Sequence, residues 1–347
     1  MADKRTILIV GNFLSEKIGL RTVCEDFADL LAKTGWSVKT TSRKTGRALR
    51  LLDMLSTVWR YRKDYNLACI DTYSGMAFFW AEAVGFSLYL LGKPFILILH
   101  GGDLPKFSQR WARRVSLLLN SASAVTAPSR YLQETMQFYR ADITVIPNPI
   151  ELNTLHYRLR SNATPRIVWL RAFHKIYNPS LAPRVLAELK KQGFECTLNM
   201  VGPDKKDGSL EATLQLAEKL KVRSLINIVN GVPKNQVSEE LSKGDIFINT
   251  TNVDNTPVSV IEAMACGLCI VSTNVGGISR LLEDGVDALL VPPDDQEAMA
   301  AAIQRILSEP GLVKQLSANA HKKAKQFDWM EVLPKWEQIF ERTIGNA

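Results

Sequence analysis

Twelve short, β-rich apolar runs, each followed by a helical pattern, constrain this chain more than any other feature. In the first half they are residues 6–10, 38–41, 67–70, 95–99, 124–127 and 144–146. In the second they are 166–170, 196–201, 226–229, 246–249, 270–273 and 288–291. Near-continuous apolar strands that alternate with helices belong to parallel sheets covered on both faces. Two sets of six therefore predict two α/β domains, residues 1–160 and 161–327, and a length of 347 residues suits two domains. The turn-rich segments PNPIELN and SNATP, between Asn148 and Pro165, supply the join. Ligands of such sheets bind where strands end at their carboxyl side, so the residues that follow each strand matter most.

Charge is divided unevenly. Residues 1–164 carry 22 Lys and Arg against 13 Asp and Glu, whereas residues 165–347 carry 21 against 22. The net +8 thus belongs to the first half, and residues 39–63 alone hold eight basic side chains against one acid, Asp53. Five scattered cysteines form no disulfide framework, and Cys266 and Cys269 read as small buried residues. A strand begins directly after MADKR, with no leader-like apolar segment, which makes the cytoplasm the expected compartment. The longest apolar region, 83–99, is broken by Gly92, Lys93 and Pro94, and its pieces are too short to span a bilayer. It predicts a buried helix and then a buried strand.

The stretch 254–293, DNTPVSVIEAMACGLCIVSTNVGGISRLLEDGVDALLVPP, reads as loop, helix, strand, Gly-Gly turn, short helix and strand. Thr256 is placed to cap the helix and Pro257 to take its first position, where a missing N–H costs nothing. The following amides, of Val258 and Ser259, then point out of the helix end and suit a phosphate. Asp254 lies just outside that end and Glu262 eight residues on. An anion cradle between two carboxylates suits a phosphorylated sugar, whose phosphates want donors and whose hydroxyls want acceptors. A capped helix with solvated acids is the purely structural alternative.

This segment resembles the acidic motif of retaining glycosyltransferases of family 4, in which Glu, seven residues and Glu precede a run like EAMACGxPV. Here Asp254 replaces the first Glu, and Cys269 replaces the usual Pro. APSRYL (127–132) and VIPNPI (145–150) resemble two further signatures, so the likeness runs nearly end to end. The resemblance implies a glycosyltransferase B architecture, with two Rossmann-like domains facing across a cleft. It also implies that the terminal helix, 328–347, crosses back to the first domain.

The family implies roles for particular residues. Glu262 would take the ribose hydroxyls and Asp254 the sugar hydroxyls. Arg171 and Lys175, in IVWLRAFHKIYNPSLA, match the cations directed at the diphosphate, with His174 wedged between them. His100, in LHGGDLP, would lie beside the donor sugar, although a histidine satisfied inside the core is the competing reading. Gly19 would line a loop that closes over the diphosphate or the acceptor, and Gly11 serves as a turn glycine. Val232 is a candidate, by position, for backbone contact with the base. Gly276 and Gly277 serve close packing as much as ligand contact.

The function expected is therefore retaining, metal-independent transfer from a UDP- or GDP-linked sugar, with no cofactor. The acceptor would be a glycan or lipid-linked glycan of envelope polysaccharide synthesis. No Asp-x-Asp metal motif occurs, and Arg171 with Lys175 could neutralise the departing nucleotide. Two other functions share these features. A nucleotide-sugar epimerase would keep the fold and change the reaction. A nucleic-acid-binding protein would use the basic half, but the chain lacks a nucleic-acid-binding motif, so no nucleic-acid partner is expected. Finally, Leu51, Leu52, Leu55, Val58, Trp59 and Arg62 recur at helical spacing among the cations of residues 43–63. Such a basic amphipathic helix suits an anionic membrane surface at the inner leaflet, or it simply covers the sheet.

Overall fold

The computed structural model describes residues 5–15 and 22–345, which leaves Gly19 outside the described residues. Two compact units emerge, Met1–Pro149 with Trp329–Ala347, and Ile150–Asp328. The first unit runs β1 (Thr6–Val10), α1 (Val23–Lys33), β2 (Ser37–Thr41), α2 (Arg47–Arg60), β3 (Leu67–Thr72), α3 (Met76–Leu90) and β4 (Phe95–Leu99). It continues through α4 (Leu104–Arg110), α5 (Ala112–Ser121), β5 (Ala124–Ala127), α6 (Arg130–Met136) and β6 (Ile143–Val145). Its six strands are parallel, in the order β2-β1-β3-β4-β5-β6.

The second unit runs β7 (Arg166–Leu170), α7 (Leu181–Lys191), β8 (Thr197–Val201), α8 (Ser209–Lys219), β9 (Ile226–Val229), α9 (Lys234–Ser242) and β10 (Ile246–Asn249). Then follow α10 (Val258–Ala265), β11 (Cys269–Thr273), α11 (Ile278–Leu281), β12 (Ala288–Val291), α12 (Gln296–Ser308) and α13 (Leu312–Ala324). Its sheet is again all parallel, ordered β12-β11-β10-β7-β8-β9. The last helix, α14 (Trp329–Gly345), returns to the first unit.

Sequence explains the local choices. Thr22 and Glu25 form a capping box that starts α1, with Glu25 Oε2 accepting the Thr22 N–H at 2.8 Å. Cys24, Phe27, Leu30 and Leu31 then repeat at helical spacing and bury against β1 and β4. Trp329, Val332, Trp336 and Phe340 of α14 complete that face, with the Phe27 and Trp336 ring centroids 4.6 Å apart at a 45° tilt. On the opposite face α2, α3 and α5 share one core through Val58, Phe78, Val84, Val115 and Leu119. The expected strands all form, their ends moving by at most two residues.

Two expectations need correction. The first unit ends at Pro149 and not near residue 160. The reason is Arg160, which is buried and donates to Asp245 Oδ1 at 3.0 Å and to the Cys266 carbonyl at 2.7 Å. A buried guanidinium in such a network anchors its segment to the second unit. The apolar helix, expected from residue 83 and buried, begins at Met76 and leaves Phe86, Tyr89 and Leu90 exposed. Only its Phe78–Ala81–Val84–Leu88 side faces the sheet.

Candidate active site

The chain order of the second sheet reverses between β7 and β10, which makes the ends of these strands its natural ligand position. β7 delivers Arg171, and the loop after β10 delivers Asp254. Arg171 Nη2 donates to Asp254 Oδ2, and both side chains are mostly shielded. Below the pair, the Tyr177 ring centroid lies 4.3 Å from the guanidinium carbon, a cation–π contact. Asp254 Oδ1 accepts the Asn255 N–H at 2.9 Å. The Arg171 backbone is fixed too: its N–H donates to Val201 at 3.0 Å, and a Cβ on Gly202 would lie 1.7 Å from its carbonyl oxygen.

The two loops are laced together. Thr250 Oγ1 accepts from Trp169 Nε1 at 2.8 Å and donates to the Tyr177 carbonyl at 2.7 Å. The Asn252 N–H donates to the Ile176 carbonyl at 2.9 Å. Gly276 and Gly277 press on the same loop, because a Cβ on either would come within 2.1 Å of the Asp254 oxygen or 2.2 Å of the Asn255 oxygen. The expected packing role of these glycines is thus present.

Helix α10 starts one residue later than its sequence suggested. Pro257 is the N-cap and not the first helical residue, and Thr256 lies buried before it. The Pro257 carbonyl accepts the N–H groups of Val260 and Ile261 at 3.1 and 3.3 Å. Pro257 makes no side-chain cap bond, and the Val258 and Ser259 amides precede the first internal bond of the helix. Two donors are orphaned nearby: Ser259 Oγ and Arg171 Nε are buried without a hydrogen-bond partner. Unsatisfied buried donors in a helix's first turn, and on the residue paired with the loop before it, are what an anion would satisfy.

Glu262 follows one turn into α10 and is buried. Its charge adds to the effect of burial on Cys266, whose thiol is pushed up to about 11, so the cysteine is inert. Burial likewise pushes Cys269 up to about 12. Val232 packs on the same core as Val258 and Leu170. Lys175 stands apart, with an exposed side chain on the 3-10 turn Lys175–Tyr177. Its backbone N–H donates to Asp207 Oδ2 at 2.9 Å. The Ser209 hydroxyl, then that N–H, lower the Asp207 carboxyl to about 2. No group of three or more His, Cys, Asp or Glu placed to hold a metal ion occurs among the described residues.

The first unit carries its own constellation at strand ends. His100 leaves β4 as expected and is buried. Its Nε2 is 3.1 Å from Asp71 Oδ1, its N–H donates to Thr72 at 2.9 Å, and its ring stacks on Tyr73 at 4.8 Å. Gly11 is structural, since a Cβ there would lie 2.7 Å from Cys24 Sγ and 3.0 Å from Asp71 Oδ2. Beside it, Gly11, Asn12, Asp71, Tyr73 and Trp80 line a small cavity, with Arg50 donating to Asn12 Oδ1 at 2.8 Å. Ser129 caps α6, accepting the Leu132 N–H at 3.1 Å.

Sequence reasoning missed Tyr177, Gly202, Asp207 and Asp71. Asp71 had a usable signal, since β3 extends through it to the carboxyl end where ligands bind. The other three act through loop geometry, which spacing does not reveal.

Residues 159–323 match the family Glycosyl transferases group 1, and residues 22–154 match Glycosyltransferase Family 4. The D-inositol 3-phosphate glycosyltransferase of Rhodococcus jostii (strain RHA1) is 23% identical over 270 residues, 72% of this chain and 59% of that protein. A putative teichuronic acid biosynthesis glycosyltransferase, TuaC of Bacillus subtilis (strain 168), is 28% identical over 225 residues, 61% of this chain and 54% of its own. The chain therefore spans only about three fifths of the length of such curated relatives. Anabaena Alr3699/HepE, solved in complex with UDP and glucose, superposes with a TM-score of 0.79 at 18% identity, covering 97% of this chain and 100% of that one. That likeness carries the fold: two parallel α/β units of glycosyltransferase B type.

Proposed function

Because the chain belongs to the group 1 glycosyl transferases of glycosyltransferase family 4, we propose that it moves a sugar from a nucleotide-sugar donor to an acceptor with retention at the anomeric carbon. One observation carries the reading: two buried donors without partners, Ser259 Oγ in the first turn of α10 and Arg171 Nε on the residue paired with Asp254, at the strand-order reversal. Buried donors without partners cost stability in the free protein, and a diphosphate repays that cost on binding.

In this reading the Val258 and Ser259 amides, the Ser259 hydroxyl and Arg171 hold the diphosphate, and Lys175 reaches it from its exposed turn. Glu262 accepts from the ribose hydroxyls, Asp254 from the sugar, and backbone at Val232 meets the base. The bond between the anomeric carbon and the phosphate oxygen breaks, and its electron pair passes to the phosphate. The departing oxygen takes the proton of the acceptor hydroxyl, and the acceptor oxygen bonds to the same face of the sugar. Arg171 and Lys175 stabilise the charge that develops on the leaving group. The family likeness assigns His100, held by Asp71 and stacked on Tyr73, to the donor sugar. UDP and glucose bound to the Anabaena protein support a UDP-linked donor, with a GDP-linked one as the alternative. The relative TuaC, named for teichuronic acid biosynthesis, supports an envelope glycan as acceptor. The exposed cations of residues 43–63 support a meeting with that acceptor, free or lipid-linked, at an anionic membrane surface on the cytoplasmic side.

The test is a panel of UDP- and GDP-sugars in thermal shift, followed by transfer assays with and without acceptor. A ligand bound only by the folded state raises the melting temperature. A donor that shifts the wild type and shifts Ser259→Ala less is expected. Indifference to every nucleotide sugar would refute the reading, and sugar-nucleotide conversion without acceptor would make the protein an epimerase.

A further inference from the structure

Helices α2, α3 and α5 lie on one face of the first sheet, and the core beneath them determines what each turns outward. On α2, Met54 and Val58 are buried while Leu49 and Leu52 are each 62% exposed. Trp59 continues that outer stripe at helical spacing and ties α2 to α3, its Nε1 donating to Ser87 Oγ at 3.2 Å. On α3, Phe86 and Leu90 face out, and on α5 so does Leu117. Exposed apolar residues scattered singly need no explanation, but outward rows on two neighbouring helices, with Leu117 on the third, do.

Cations border these rows. Arg43, Lys44 and Arg47 lie exposed at the start of α2, and Arg60, Arg62 and Lys63 lie exposed at its end. Nearby acids are engaged: Asp53 accepts from Ser42 Oγ at 2.5 Å, Asp64 pairs with Lys39 at 3.7 Å, and Glu82 is bound by Arg114. Arg50 turns inward to Asn12 and Trp80 and takes no part. No helix among the described residues is long and apolar enough to cross a membrane.

We propose that this three-helix face lies on an anionic lipid bilayer, with Phe86 and Leu90 of α3 entering the acyl boundary while the ends of α2 hold the headgroups. The proposal rests on the reading that residues 43–63 meet anionic lipid, and it adds that α3 supplies the insertion. The charge complementarity selects lipid as the occupant: large apolar side chains in the plane, cations at the border and acids already paired form an interfacial anchor. Tyr89, exposed beside Leu90, has the amphipathic body suited to the headgroup level.

The experiment is co-sedimentation of the full chain with phosphatidylcholine vesicles of graded phosphatidylglycerol content, at low and high salt. Three proteins are compared: wild type, Arg43→Gln/Lys44→Gln/Arg47→Gln and Phe86→Ser/Leu90→Ser. Wild-type binding should rise with anionic lipid and fall with salt, and the charge variant should lose that dependence. The Phe86→Ser/Leu90→Ser protein should bind at least roughly tenfold more weakly at every composition, because its apolar anchor is gone. Equal binding by it and the wild type would overturn the insertion while leaving the basic segment as the anchor. No binding by wild type would overturn both. A wild-type dimer abolished by Phe86→Ser/Leu90→Ser, without vesicle binding, would overturn the proposal in favour of a second copy of the chain.

Discussion

Arg171 and Asp254, 83 residues apart, form an ion pair where the second sheet reverses its strand order. The two side chains proposed to meet diphosphate and sugar therefore position each other before any ligand arrives. Asp254 keeps capacity for a hydroxyl, since each carboxylate oxygen has a second lone pair. Arg171→Ala and Asp254→Asn should each lower kcat/KM about a hundredfold, or on the order of 3 kcal/mol. Residues that act as a unit are not additive, so the double variant should cost far less than the product of the two. Steady-state kinetics on all three proteins decides this. Full turnover in either single variant, or strict additivity, would count against the coupling.

Ser259 separates stability from binding. Its hydroxyl is buried without a partner, an arrangement that costs about 1–3 kcal/mol in the free protein. Ser259→Ala should leave the melting temperature unchanged or raise it, while donor affinity falls roughly tenfold. Calorimetric titration with the nucleotide sugar reads the second effect. A variant that loses stability without losing affinity would assign the hydroxyl to the fold alone.

Gly276 supports the site from behind. Its φ of +53° favours glycine, and a Cβ would lie 2.1 Å from the Asp254 carbonyl oxygen. Backbone, not a yielding side chain, is in the way. Gly276→Ala should therefore destabilise by about 2 kcal/mol or more and shift the Asp254 loop, weakening transfer as well. Denaturant unfolding and kinetics on one preparation test both effects, and wild-type stability would show that the loop yields freely.

The alternation of apolar runs and helices was sufficient to read twelve strands and two sheets, because burial on both faces leaves an unmistakable pattern in sequence. The site was legible only in part. Asp254, Glu262 and the α10 start are close in sequence, and the helix end could be read with an error of one residue. The Arg171–Asp254 pair and the Tyr177 ring depend on how separate loops close, which local spacing does not encode. His100 was recognisable as a strand-end histidine, but its contacts with Asp71 and Tyr73 depended on a neighbouring strand. The outward face of α3 was hidden for another reason: its helix is apolar on every side, so periodicity gave no inner and outer face.

Asp207 gives the Lys175 turn a pH dependence with a definite sign. Its folded carboxyl is lowered to about 2, first by the Ser209 hydroxyl and then by the Lys175 N–H, against an ordinary value of 3.8. A carboxylate lowered by folding contributes stability above its unfolded value and loses it as pH falls through the folded one. The melting-temperature gap between wild type and Asp207→Ala should hold from neutrality to about pH 4 and close toward about pH 2. A gap unchanged across that window would remove the ionised carboxylate from the account.

In the proposed reaction, charge on the leaving nucleotide needs a counterion, and two cations of the chain are assigned to it: Arg171, paired with Asp254, and Lys175, on an exposed turn held by Asp207. Guanidinium and ammonium groups aimed at a developing phosphate charge can do what a divalent ion does elsewhere. Transfer should therefore persist in EDTA at the untreated rate. Lys175→Ala should lose about a hundredfold in kcat, comparable to removal of one preorganised donor, and added manganese or magnesium should not restore it. Initial rates of both proteins with chelator, and then with each metal, make the measurement. Wild-type activity that vanishes in EDTA and returns with either ion would transfer the electrostatic role from Lys175 and Arg171 to a bound metal.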